Sequence, residues 1–321
     1  MVKDMEDSNE FEAFTYLFTR LNVPIQQDME GKEATKESVF KNRNALFLET
    51  LGFPFTNAAM LQEQYVARQI RLRSTRLKSK IRIVNVYPDS DESLICLQMN
   101  VQRSGTKYNE NFTSENFTSF PYTTVLIASG DNDQVILIRK NLQAFDKCLI
   151  AAKAIVAHAN HSLRDRGLEL TVYPMLEKSN FWDIVDSHSG EIAAVEFTIP
   201  PPNLPRLKTT IVNVVQKLED STRAGEAKIV ISAPQGKSLG LSQNDKLLDS
   251  LVSGPESGGP TPRLRPLGKG NKWEKVDGRS RIMMISKDMI EGMFSQTLLR
   301  RIRDFISGND QGPSDDENNA A

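Results

Sequence analysis

Between Thr123 and Ile199 the apolar residues change their spacing repeatedly, and this stretch constrains the fold more than any other in the chain. Thr123–Ala128 and Gln134–Arg139 are apolar runs around Ser129-Gly-Asp-Asn-Asp133, a Gly-containing loop of hairpin length. From about Asp146 to Arg166 the spacing turns helical, with Phe145, Leu149, Ala152, Val156 and Leu163 on one stripe and Gly167 placed as the stop. Leu168, Leu170 and Val172 then alternate with polar neighbours up to Pro174. Ser179 caps a short helix carrying Phe181, Trp182 and Val185, and Ala193, Val195, Phe197 and Ile199 form another alternating run. The order reads as a β-α-β unit. Helices and strands intermixed in this way predict an α+β fold, a mixed sheet with packed helices.

The flanking regions complete the expected organisation. Phe11–Arg20 and Ser38–Leu51 read as short helices, ended by Pro24 and by Gly52-Phe53-Pro54, and Asn57 caps a third with Leu61, Tyr65 and Leu72 at helical spacing. Together they predict an N-terminal helical layer over residues 1–78. An α+β core is expected over 79–307, with strands from Ile81 and over Ser93–Val101. A helix through Leu207, Ile211, Val214 and Leu218 follows, then a strand at Lys228–Ser232 and a helical stretch at Leu241–Val252. A short strand at Arg281–Ile285 precedes a last helix capped by Ser286, with Ile290, Phe294, Leu298, Ile302 and Phe305 on its stripe. Residues 253–280 are rich in Gly, Pro and cations and read as a flexible loop, and 308–321 as a disordered acidic tail.

Composition excludes several classes. The 321 residues are 39% hydrophobic and 25% charged with a mean hydropathy of −0.40, values of a globular chain. The longest uncharged stretch, Asn116–Gly130, contains Thr, Ser, Tyr and Pro and cannot supply the roughly 20 apolar residues of a membrane helix. Asp4, Glu6, Asp7, Glu10 and Glu12 are the opposite of the basic start of a secretory signal. Cys96 and Cys148 are too few for a disulfide framework, which points to a reducing, cytoplasmic setting.

A formal charge of −1 conceals an uneven distribution. Residues 1–12 carry −4 and residues 304–321 carry −5, which leaves +8 for residues 13–303. Two windows hold much of that excess. Arg68, Arg71, Arg73, Arg76, Lys78, Lys80 and Arg82 form a run without an acid, and if the third helix continues, Arg73, Arg76 and Lys80 align on it. Arg263, Arg265, Lys269, Lys272, Lys275, Arg279 and Arg281 form the other, diluted only by Glu274 and Asp277, with Trp273 among its lysines. Each cation placed on a phosphate releases condensed counterions, so both windows are candidate nucleic-acid contacts. An aromatic among cations can stack on a base, although a plain exposed loop tryptophan reads equally well. The acidic ends either keep the chain in solution or compete with a polyanion for the basic body.

Catalytic motifs are incomplete. Gly236-Lys237-Ser238 follows a strand, but Ile231 stands where a phosphate-cradling loop needs its first Gly, and Pro234 removes an amide. Glu226 and Lys228 at a strand start would suit a metal-dependent nuclease if Asp183, Asp186 or Asp220 supplied a second carboxylate; a solvated strand start is the simpler reading. His158 and His161 are i, i+3 on a helix and His188 is in a turn, with no further ligands in an obvious pattern. Cys148 reads as a buried, inert thiol. No metal and no cofactor is expected.

The run Leu168–Val185, with Ile192-Ala-Ala-Val-Glu-Phe-Thr-Ile-Pro-Pro-Pro-Asn-Leu-Pro205 and Lys237-Ser238-Leu239, resembles an uncharacterised bacterial phage-defence family distantly similar to the phage-exclusion protein RexA. The resemblance covers residues 168–240. It implies a cytoplasmic, abortive-infection-like anti-phage component: a homodimer that binds DNA, double-stranded for preference, and acts with a membrane or other defence partner. The DNA-binding subunit of the Kiwa defence system is similar in role. The expected function is therefore non-enzymatic DNA binding through the basic residues, with a Glu226/Lys228 nuclease and a protein-only scaffold as the alternatives.

Overall fold

The computed structural model describes residues 9–20, 47, 49–51, 70–71, 81–88, 94–128, 134–177, 179–199, 226–256, 259–270, 272–276, 278–286, 289–290 and 296–308. Numbered along the chain, the strands are β1 (Glu10–Arg20), β2 (Ile70–Arg71), β3 (Ile81–Pro88), β4 (Leu94–Val101), β5 (Arg103–Tyr108), β6 (Ser114–Ser119) and β7 (Tyr122–Ala128). They continue with β8 (Val135–Arg139), β9 (Leu168–Pro174), β10 (Ile192–Ile199), β11 (Ala227–Ser232), β12 (Arg263–Pro266), β13 (Glu274–Lys275) and β14 (Ile282–Met284). The helices are α1 (Cys148–Leu163), α2 (Ser179–Ser187), α3 (Lys246–Glu256) and α4 (Gln296–Ser307). The fold is α+β, and the chain divides into two compact units.

The first unit holds the described residues of Met1–Glu12, Asn44–Ala159 and Ile282–Ala321. Its strands follow the order β14-β1-β8-β7-β4-β3-β2, with Glu10–Glu12 of β1 opposite Ile282–Met284. Successive residues Leu94–Leu97, Val125–Ala128 and Val135–Ile138 are all buried, the sign of strands covered on both faces. Between β4 and β7 the chain leaves this sheet as the two-stranded hairpin β5–β6, whose residues are mostly exposed. Asn109 organises its tip: its Oδ1 accepts from the amides of Asn111 (3.0 Å) and Thr113 (2.9 Å), and its own amide donates to Thr113 O at 3.1 Å. The turn so formed holds Phe112 at φ 57°, where a bulky side chain is strained, and leaves it 87% exposed.

The second unit holds the described residues of Ala13–Arg43 and Asn160–Arg281. Here Phe14–Arg20 of β1 pair antiparallel with Leu168–Pro174 of β9, and the Asn160 side chain both donates to Leu170 O (2.8 Å) and accepts from Leu170 N (2.7 Å). A second sheet runs β11-β10-β12-β13, all antiparallel. Its inner face carries Val195, Phe197, Ile199, Leu264 and Val276 and packs on Phe181, Trp182 and Val185 of α2 and on Leu248, Leu251 and Val252 of α3. The start of α3 is fixed by Asp245, whose Oδ1 accepts from Leu247 N at 2.8 Å and Leu248 N at 3.1 Å.

Several sequence expectations require correction. Phe11–Arg20 is a strand and not a helix of an N-terminal layer: Phe11 and every residue from Ala13 to Phe18 are buried, and aromatic and β-branched side chains fill both faces of a covered strand. Ile70–Arg71 pair with Ile83 and Arg82 as a strand, so the third helix does not run through them. The described residues of 253–280 are not a flexible loop, because they end α3 and supply β12 and β13. β9 and β10 do not pair as a β-α-β unit: β9 pairs with β1, and β10 with β11 and β12. The helix through Leu207–Leu218, most of Ser38–Leu51 and the tail from 309 lie outside the described residues.

Candidate nucleic-acid interface

The Arg263–Lys275 part of the second basic window forms the β12–β13 hairpin at the edge of the β11-β10-β12-β13 sheet, whereas Arg279 and Arg281 lie beyond it, their carbonyls accepting from Glu177 N and Ala13 N. Alternation along β12 sends Leu264 and Pro266 inward and leaves Arg263 and Arg265 outward, and Arg263 lies directly across from Lys275 of β13. Continued by one residue, the same register sets Trp273 opposite Arg265. Its indole carries two guanidinium groups, Arg265 at 5.5 Å and Arg263 at 5.8 Å from the ring centroid. The connection from β12 to β13 turns on Gly268 (φ 80°) and Gly270 (φ 63°), a backbone that residues with a Cβ adopt at a cost, and it carries Lys269 and Lys272 exposed at the end of the hairpin. The expected contacts Arg263, Arg265, Lys269, Lys272, Trp273 and Lys275 therefore belong to one ordered β-hairpin.

Two of these cations are neutralised locally. Arg263 Nη1 is 3.4 Å from Oε1 of Glu196 on β10, and Lys269 Nζ is 3.2 Å from Oε1 of Glu274. Arg265, Lys272 and Lys275 have no ion-pair partner among the described residues. Along β11 Lys228, Val230 and Ser232 are exposed, Val230 to 50%, next to the partly buried Thr198 and Glu196 of β10. An apolar and aromatic floor bordered by unpaired cations can receive a polyanion that also presents flat apolar groups.

The first window is only partly described. Arg68, Arg73, Arg76, Lys78 and Lys80 lie outside the described residues, as does the alignment of Arg73, Arg76 and Lys80. Arg71 and Arg82 are directly opposed in the β2–β3 register.

The catalytic candidates are occupied otherwise. Lys228 Nζ is 3.1 Å from Glu226 Oε1, both side chains being about half exposed, and burial together with Glu226 pushes the Tyr173 phenol up from its ordinary value. No group of three His, Cys, Asp or Glu is arranged to hold a metal among the described residues. In the turn after β11 the Lys237 amide donates to Pro234 O (2.9 Å) and the Leu239 amide to Ile192 O (2.7 Å), so these amides do not face a phosphate. Burial pushes both Cys96 and Cys148 up to about 12, which leaves neither thiol nucleophilic near neutrality. No described helix is long and apolar enough to cross a membrane.

The sequence pattern marks the cations and Trp273 but not the sheet that carries them, nor Val230, Thr198 and Glu196, which complete the face. The signal was present as the alternation Arg263-Leu-Arg-Pro266, hidden by the surrounding Gly and Pro. Comparison with protein-family models, curated proteins and solved structures gives no match.

Proposed function

We propose that this protein binds nucleic acid without catalysing its cleavage, and that the β12–β13 hairpin is a principal contact. One observation carries the reading: a Trp273 ring bearing two guanidinium groups on an open sheet face, with Arg265, Lys272 and Lys275 left without ion-pair partners among the described residues. Each unneutralised cation repels its neighbours until an anion arrives, so the cluster favours a ligand that brings phosphates at several points. The resemblance in residues 168–240 supports a cytoplasmic bacterial anti-phage setting, with DNA as the polymer, a homodimeric protein and a further defence protein as partner.

Reversing Arg265, Lys272 and Lys275 to Glu removes three phosphate contacts. The slope of log affinity on log salt should then fall in magnitude by about 2 to 3, at roughly 0.7 to 0.9 per contact, and binding at low salt should be largely lost. The fold should persist by circular dichroism: Lys272 and Lys275 are exposed, where substitutions usually shift stability by less than about 0.5 kcal/mol, and Arg265 is only partly buried on the outer face. A folded variant with unchanged affinity and slope would refute the interface. In Mg²⁺ or Mn²⁺ the purified protein should leave plasmid DNA intact; cleavage abolished by Glu226→Ala would favour the nuclease.

A further inference from the structure

We infer that the outer face of the β11-β10-β12-β13 sheet takes an unpaired nucleic-acid strand, with a base stacked at Trp273, in preference to a duplex. This rests on the nucleic-acid reading above and specifies its ligand. Width is the first argument. Three interstrand spacings of about 4.8 Å make a face some 14 Å across, whereas the major groove is about 12 Å wide and admits a helix or a two-stranded ribbon. β12 cannot enter it as part of a ribbon because β10 is hydrogen-bonded along its other edge. A duplex could reach only the Lys269–Lys272 end of the hairpin, and would leave Trp273 and Val230 without a role.

Chemistry is the second argument. In a duplex the faces of the bases are stacked on one another and only phosphates and base edges are offered. An unpaired strand offers its base faces as well, and these match an indole, guanidinium planes and the half-exposed Val230. Arg263 is steadied by Glu196, which is itself only 12% exposed, so its side chain keeps to the outer face instead of ranging through solvent. Arg265, opposite Ala194 on β10 and without an acidic partner among the described residues, remains to meet a phosphate. Lys275 stands two residues along from Trp273 and across from Arg263, which sets a second phosphate contact beside the stacked base.

The test compares the full-length protein and its variants on oligo(dT) and on a random 20-base-pair duplex at two salt concentrations, with intrinsic tryptophan fluorescence as a second readout. Oligo(dT) should bind at least tenfold more tightly than the duplex and quench the emission of Trp273, the tryptophan outside the core. Trp273→Leu should lose that quenching and about tenfold in affinity for oligo(dT), while duplex affinity stays within twofold. Trp273→Phe should keep most of the affinity, and this covers the case in which the leucine variant folds poorly. Duplex binding as tight as oligo(dT) binding, insensitive to Trp273→Leu yet abolished by reversal of Arg265, Lys272 and Lys275, overturns this inference and leaves the nucleic-acid reading in place. Absence of binding to either polymer removes both.

Discussion

Phe112 shows how a single residue can be held against its own preference. The Asn109 side chain closes the hairpin tip with two accepted hydrogen bonds, and the resulting turn demands a left-handed backbone at position 112. That conformation costs a residue with a Cβ roughly 1–2 kcal/mol and costs Gly little. Phe112→Gly should therefore stabilise the hairpin, by about 1 kcal/mol after the greater entropy of an unfolded glycine is deducted, as read from chemical denaturation. Glu12 is a second such residue. Its carboxyl is raised above the ordinary 4.5, first by burial, which outweighs the lowering effects of Lys140 and a hydrogen bond with Cys148; Glu10 raises it further. A raised acid binds its proton more tightly in the folded state, so its contribution favours folding below the unfolded pKa and is lost as pH rises through the folded one. Glu12→Gln should flatten the stability profile over that window and make the protein more stable than the parent at neutral pH. Urea melts at stepwise pH check the sign. Neither position is marked by the sequence, since strain and desolvation arise only once the neighbours are in place.

At the scale of elements, legibility followed locality. The β7–β8 hairpin, α1 with its Gly167 stop and β9 were all readable because their signals lie within a few residues of one another. β1 reads as a helix from its local pattern, and its partners explain the difference: β9 and β14 lie far along the chain, and burial on both faces removes the alternation that marks a half-buried strand. β12 and β13 were hidden differently, since Gly268 and Gly270 serve a tight reversal between two very short strands and looked like the composition of a loop. The cap of α3 offers a test of how an element supports the interface. Asp245→Ala should cost about 1 kcal/mol. Because α3 packs against the inner face whose outer side bears Arg263 and Arg265, the loss should appear as earlier thermal unfolding with unchanged nucleic-acid affinity below the transition.

For the molecule as a whole, the charge distribution was legible in advance and the grouping of its members was not. Composition alone located a basic body between acidic ends, while only the register of β12 and β13 shows that six of the marked residues share one hairpin. The tail from 309 to 321 holds Asp310, Asp315, Asp316 and Glu317 and no cation. If it competes with phosphate, its removal should tighten nucleic-acid binding several-fold at low salt and have little effect at 0.5 M salt, where screening acts over only a few ångströms. Equal affinities at low salt would leave it the role of a solubilising segment. The pairing of β1 has a different reach, into how the chain is made. Glu12 is translated 270 residues ahead of its partner Ile282. At roughly 5–20 residues per second the two are separated by about 15–55 s. Phe11 waits through that interval for Met283, and Phe14, Tyr16 and Phe18 wait about 8–32 s for Pro174, Val172 and Leu170 of β9, so newly made chains should depend on chaperones that hold extended aromatic segments.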